Sequence, residues 1–143
     1  MALFDYGSGN LHSVGRALIE AGASVVGTSS IHEAAECDGI VIPGVGAFSS
    51  CMAGIRAARG DELIALAVAR EQPLFGICVG HQILFASGTE HGVETPGMNV
   101  YPGRVVRLDA RRLPHMGWNR VWVSAPGSVL DVVDGQSCYF VHS

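Results

Sequence analysis

The sequence predicts a doubly wound, mostly parallel α/β sheet with an antiparallel extension in its C-terminal half, on three observations. Short apolar runs near residues 2–5, 24–27, 39–42 and 73–77 alternate with helix-periodic segments, the pattern of parallel βαβ units. The runs ending at 42 and 77 pass into glycine-bearing loops at their carboxyl ends, where such sheets place ligands. Beyond residue 100 the segments alternate polar and apolar residues, as half-exposed antiparallel strands do.

Composition narrows the function classes. A chain of 143 residues reads as one domain, able to bury about two thirds of its unfolded surface. With 48% hydrophobic and 15% charged residues it is well cored, not disordered, and its 19 glycines announce tight turns. A net charge of −4 without a Lys/Arg run argues against nucleic acid or an anionic membrane as partner. No apolar run approaches the roughly 20 residues that span a bilayer. The four cysteines, at 37, 51, 78 and 138, have neither C-x-x-C pairing nor metal-ligand spacing, and the N-terminus lacks a basic, then apolar, leader. A cytoplasmic protein with reduced thiols and no metal or cofactor is expected.

In order, Ala2-Leu3-Phe4 is a first strand and Asp5 to Asn10 its exit loop. Leu11, Val14, Leu18 and Ala21 mark a helix stopped by Gly22. Gly7-Ser8-Gly9 lacks the third glycine of a dinucleotide fingerprint, whose place His12 takes. Ser24-Val25-Val26 is a strand, Ile31 to Glu36 a short helix, and Gly39 to Ile42 a strand running into Pro43-Gly44-Val45-Gly46. That loop is either an ordinary turn or a set of backbone N–H groups open to an anion. Phe48, Cys51, Met52 and Ile55 share a helix face; a further helix from about Asp61, its N-cap, to Arg70 turns Leu63, Ile64, Ala67 and Val68 inward. Pro73 ends it. Ser87 to Gly97 reads as glycine-rich connection, and 104–108, 120–123 and 137–141 as strands, with turns at 125–127 and 134–135.

The chemistry centres on Gly76-Ile77-Cys78-Val79-Gly80. An apolar strand, a cysteine between two glycines, then Ile83-Leu84-Phe85 make the thiol version of the G-x-S-x-G elbow, in which small neighbours let a strained turn lift the nucleophile above the sheet. A helix N-terminus behind it would favour the attacking thiolate. A buried structural cysteine is the competing reading, and the paired glycines favour the elbow.

The elbow, with His81-Gln82 and the Pro43 to Gly46 loop, resembles the class I (triad-type) glutamine amidotransferases, of flavodoxin-like architecture. Four further blocks are similar to the glutaminase-subunit family of imidazole glycerol phosphate synthases: Phe4 to Leu11, Pro43 to Phe48, Pro114-His115-Met116-Gly117-Trp118-Asn119, and Tyr139-Phe140-Val141-His142-Ser143. The resemblance implies that Cys78 attacks glutamine, that Gly44, Val45 and Val79 hold the oxyanion, and that Gly46, Gln82, His142 and Ser143 hold the substrate. It implies a TIM-barrel cyclase partner that receives the ammonia and makes imidazole glycerol phosphate and AICAR in histidine biosynthesis, with Asn10, Met116 and Trp118 at the interface. His81 departs from a methionine frequent in that subfamily. The family's triad His and Glu lie in a His-Pro-Glu motif downstream of the Val-His-Ser block, and the sequence, ending at Ser143, is read as a C-terminally truncated copy of low activity.

Among the six histidines, His12, His32 and His91 read as surface groups. His81 reads as ordering the elbow, and His142 as the better-placed substitute base. Trp118 and Trp122, four residues apart, would share one face of a regular strand, Trp122 packing on the core and Trp118 serving an interface. Two other functions stay open: a different Cys-elbow amidotransferase or thiol hydrolase, and a non-catalytic fragment that only binds its partner.

Overall fold

A computed structural model describes residues 1–143, which divide into two compact units, Met1–Val106 and Arg107–Ser143. The first opens with β1 (Ala2–Phe4), α1 (Leu11–Glu20), β2 (Val26–Thr28), α2 (Ile31–Ala35) and β3 (Ile40–Gly44). It continues with α3 (Phe48–Ala57), α4 (Gly60–Ala69), β4 (Leu74–Cys78) and α5 (Val79–Gln82). These strands form a parallel sheet in the order β2-β1-β3-β4. The strand order reverses between β1 and β3, so the loops leaving those two strands flank the crevice where doubly wound sheets bind ligands.

Apolar periodicity accounts for the core. Phe48, Cys51, Met52 and Ile55 of α3 pack with Leu63, Ile64 and Ala67 of α4 against Phe4, Ile40 and Ile42. Val68 does not join them: it is 51% exposed, because the buried stripe of α4 runs through 60, 63, 64 and 67 and leaves 68 beyond its edge. Nor does Asp61 cap α4. The helix starts one residue earlier, behind a left-handed Arg59, and Asp61 lies in the first turn, where its charge still suits the helix dipole. Asn10 does cap α1, accepting from the Ser13 N–H at 3.1 Å, and Gly22 ends that helix region at φ 91°. The second strand lies two residues later than its β-branched run suggests, since its pairing with β1 begins at Ala2 opposite Val26.

The stretch expected to be irregular, 87–97, instead forms a hairpin of β5 (Phe85–Glu90) and β6 (Val93–Pro96). His91 and Gly92, with φ of 51° and 78°, make the two-residue turn whose twist matches paired strands. β7 (Tyr101–Val105), three residues earlier than expected, runs parallel to β5, so only the β5–β6 side of this small sheet is antiparallel.

The second unit holds the antiparallel pair β8 (His115–Arg120) and β9 (Ser137–His142), joined through a 3₁₀ turn at Val129–Val133 that the sequence did not announce. β8 stops at Arg120, so Trp122 lies outside the strand and shares no strand face with Trp118. Rather than packing on a core, Trp122 is 69% exposed beneath the Arg120 guanidinium, 5.9 Å from its ring centre. No helix in either unit is long and apolar enough to cross a membrane.

Candidate active site

Cys78 ends β4 and immediately precedes α5, with φ 56° and ψ −122°, a conformation costly for any residue with a Cβ. The neighbouring glycines make it feasible through space rather than through their own dihedrals. A Cβ on Gly76 would lie 2.4 Å from the His81 Cα, and one on Gly80 would lie 2.0 Å from the Ile42 carbonyl oxygen. Backbone thus packs directly on backbone around the turn, and the thiol is left exposed while Cys51 is buried and Cys37 and Cys138 are half-buried. The helix behind the thiol is shorter than the sequence suggests. α5 is a single turn, because the chain re-enters a strand at Phe85, so exposure and strain, more than a long helix dipole, distinguish this cysteine.

Register brings the second element to it. In the β3–β4 ladder Gly44 stands opposite Cys78, and a Cβ on Gly44 would lie 2.3 Å from the Gly80 N. The root of the Pro43–Gly46 loop is therefore pressed onto the elbow, with Gly46 at φ 84° turning the chain toward α3. Val79 heads α5, where the geometry of a helix start leaves N–H groups without intrahelical acceptors. Gln82, half-buried, closes the same turn.

Residues that sequence reasoning missed hold the loop from the other side. The Tyr6 hydroxyl donates to the Pro43 carbonyl at 2.5 Å, and burial pushes its phenol well above the ordinary tyrosine range. The Val45 N–H donates to Ser8 Oγ at 3.3 Å, while the Val45 carbonyl lies 3.2 Å from both Ser8 Oγ and Cys51 Sγ. A Cβ on Gly9 would meet the Pro43 side chain at 2.7 Å. Glu90, from the hairpin, accepts from the Phe48 N–H at 2.9 Å and supplies the cap that Ala47 cannot. The available signal was topological: loops that leave adjacent parallel strands at the same end must meet.

Of the remaining predicted residues, His81 turns its ring against Phe85 and Tyr101, with centroids 5.3 and 6.2 Å away. His12, His32 and His91 are exposed. Within the second unit, His142 stands opposite His115, with His115 Nδ1 2.9 Å from His142 Nε2, and Ser143 follows it. Met116 and Trp118 lie on one face of the hairpin with their partners Val141 and Tyr139, and Trp118 is 71% exposed. Asn10 is exposed, its side chain engaged as the α1 cap. An open cleft of about 570 Å³ lies between α2 and α4 and another of about 480 Å³ between α4 and residues 97–100, and neither is lined by Cys78.

Comparison with known proteins identifies the family and the fold. The family described as "Glutamine amidotransferase class-I" matches residues 2–143. The chain is 54% identical over its full length to the "Imidazole glycerol phosphate synthase subunit HisH" of Nocardia farcinica, and covers 68% of that protein. It is 50% identical to the subunit of the same name from Mycobacterium bovis and 49% to that from Thermobifida fusca, covering 70% and 68% of them. A solved structure, "Crystal structure of glutamine amidotransferase", superposes on 82% of the chain with a TM-score of 0.67 at 17% identity, a likeness of fold. The chain spans 61% of that neighbour's length.

Proposed function

The chain belongs to the class I glutamine amidotransferase family and, within it, to the HisH subunits of imidazole glycerol phosphate synthase, and from that premise we propose that it carries the glutaminase nucleophile. Residues 1–143 act as one amidotransferase domain, a reading supported by the family match running unbroken from 2 to 143.

The observation that carries the proposal is the placement of an exposed Cys78 at φ 56° with Gly44 opposite it. The Cys78 thiolate attacks the carboxamide carbon of glutamine. The carbonyl oxygen becomes an oxyanion that takes the backbone N–H groups of Gly44, Val45 and Val79 as donors, the Val45 N–H exchanging its Ser8 Oγ acceptor for it. As the tetrahedral intermediate collapses, the amide nitrogen takes up the proton the thiol gave up and leaves as ammonia, and water then cleaves the thioester to give glutamate and the free thiol. In the first unit Gly46 and Gln82 hold the substrate; for His142 and Ser143, in the second unit, the family resemblance alone supports a substrate role.

Ammonia passes to a TIM-barrel cyclase that makes imidazole glycerol phosphate and AICAR, with Asn10 in the first unit and, separately, Met116 and Trp118 in the second as its contact residues. That the relatives are subunits of a synthase supports a heterodimer. Four free cysteines suit a reducing cytoplasm. The test is glutamate release in the presence of the cyclase by the chain extended through a His-Pro-Glu segment. Cys78→Ala is expected to abolish it. Turnover that survives this substitution would remove Cys78 from the mechanism.

A further inference from the structure

Two histidines 27 residues apart in the chain meet at the open end of the β8–β9 pair. His115 opens β8 and His142 closes β9, so the ladder makes them its terminal rung. His115 Nδ1 lies 2.9 Å from His142 Nε2, and the ring centroids are 5.0 Å apart. His115 is half-buried and His142 exposed, so the rung is open to solvent. A neutral imidazole carries one proton on two nitrogens, and a pair at this distance shares one N–H between the facing atoms. The rings are also held from outside. His115 Nε2 lies 3.3 Å from the Asn119 side-chain amide, and Phe140 packs on the His142 ring with centroids 5.4 Å apart.

We propose that His115 Nδ1 and His142 Nε2 form a two-nitrogen chelate for a divalent transition metal of the class imidazole prefers, Cu²⁺, Ni²⁺ or Zn²⁺. Imidazole nitrogens bind such an ion at about 2.0–2.1 Å, which sets two neighbouring ligands about 2.9 Å apart at a right angle and about 3.3 Å apart at the tetrahedral angle. The rung is therefore spaced for tetragonal Ni²⁺ or Cu²⁺, and a small separation of the rings admits Zn²⁺. On loading, the shared proton moves to the far nitrogen of its own ring, so both rings stay neutral and each presents a lone pair to the metal. His115 then carries its proton on Nε2, facing Asn119, whose amide oxygen accepts it once the side chain turns over. An outer hydrogen bond of this kind fixes the tautomer of a ligating histidine. Water fills the remaining positions. The metal clips the open end of a hairpin in which no residue is buried, and a clip that closes a long loop removes much of the freedom of the open state.

Ni²⁺, which does not oxidise thiols, is the probe for the 143-residue chain. Calorimetric titration should find one site, weakened about 100-fold or more in His115→Asn and in His142→Asn and about tenfold in Asn119→Ala, which removes only the outer partner. Cys78→Ser and Cys138→Ser should leave it unchanged. With free Ni²⁺ at 100 times its dissociation constant, hydrogen exchange of the β8–β9 amides should slow about 100-fold, the factor by which a ligand of the closed form shifts opening. Ring-nitrogen NMR of the unsubstituted chain with Zn²⁺ makes the same test without a mutation: the His115 Nδ1 and His142 Nε2 signals should move together, and those of His12, His32 and His91 should stay. Absence of uptake, uptake lost with either thiol, undiminished affinity in either histidine variant, unchanged exchange or a Zn²⁺ shift at only one of the two rings would overturn the proposal.

Discussion

The two units differ in what their apolar residues touch. In residues 1–106, Phe4, Ile42, Phe48, Ile55 and Leu63 are buried in one cluster, and the elbow is wedged against it by glycines that admit no side chain. In residues 107–143 nothing is buried, and Met116, Trp118, Tyr139 and Val141 stand exposed on one face of the β8–β9 pair, Trp118 edge-on to Tyr139 at 5.5 Å. A nucleophile must be held within a fraction of an ångström, so it sits where packing leaves no freedom. The β8–β9 face, proposed above as a recognition surface, keeps its aromatic side chains available, held by cross-strand pairs.

The contrast can be broken most severely at the chemistry. The resemblance puts the general base in a His-Pro-Glu segment that residues 1–143 do not contain, and general acid–base assistance is worth ~10²–10⁴-fold. The 143-residue polypeptide mixed with the cyclase should therefore release glutamate no faster than its Cys78→Ala variant. Extension through that segment should raise the rate by at least about 10²-fold. Rapid Cys78-dependent turnover by residues 1–143 would instead assign the base to a histidine already present.

Next in size is Gly80→Ala, whose methyl would fall 2.0 Å from the Ile42 carbonyl. Overpacking of this kind costs typically 1–3 kcal/mol, and here both neighbours are backbone, so about 3 kcal/mol or more is expected in denaturant unfolding of the first unit. Trp118→Ala should do the reverse. Its loss should change the stability of the chain by no more than about 0.5 kcal/mol, as for other exposed positions, yet weaken cyclase binding by about 2 kcal/mol or more. Calorimetric titration reads the second number, and an unchanged dissociation constant would return Trp118 to a local packing role.

The smallest effect sharpens the first unit. Burial raises the Tyr6 phenol in the folded state, so the stability this represents is fully present below the unfolded value of about 10 and is lost as pH rises above it. Tyr6→Phe should cost about 1 kcal/mol at neutral pH through the lost bond to Pro43 and should flatten the alkaline decline in stability. An equally steep decline in the variant would assign it to other groups.

Much of this contrast was legible beforehand. The parallel strands, the α3 stripe of 48, 51, 52 and 55 and the elbow follow from apolar period and from glycine spacing, which are local properties. The 91–92 hairpin was not read, because His-Gly is a weaker turn signal than Asn-Gly and its strands carry few β-branched residues. Trp122 was misplaced because only the ladder, ending at Arg120 opposite Ser137, decides where a strand stops. The roles of Ser8 and Tyr6 were hidden for a further reason: they depend on contacts 37 residues apart, which no local pattern encodes.

The most direct test of the account is which cysteine reacts first. Brief exposure of the native chain to a glutamine-shaped chloromethyl ketone, followed by peptide mapping, should place the label on Cys78. It is exposed at a strained turn beside Gly44, whereas Cys51 is enclosed in the core and Cys37 is tied to the Glu33 carbonyl. Earlier modification of Cys37, Cys51 or Cys138 would contradict the claim that this elbow presents the nucleophile.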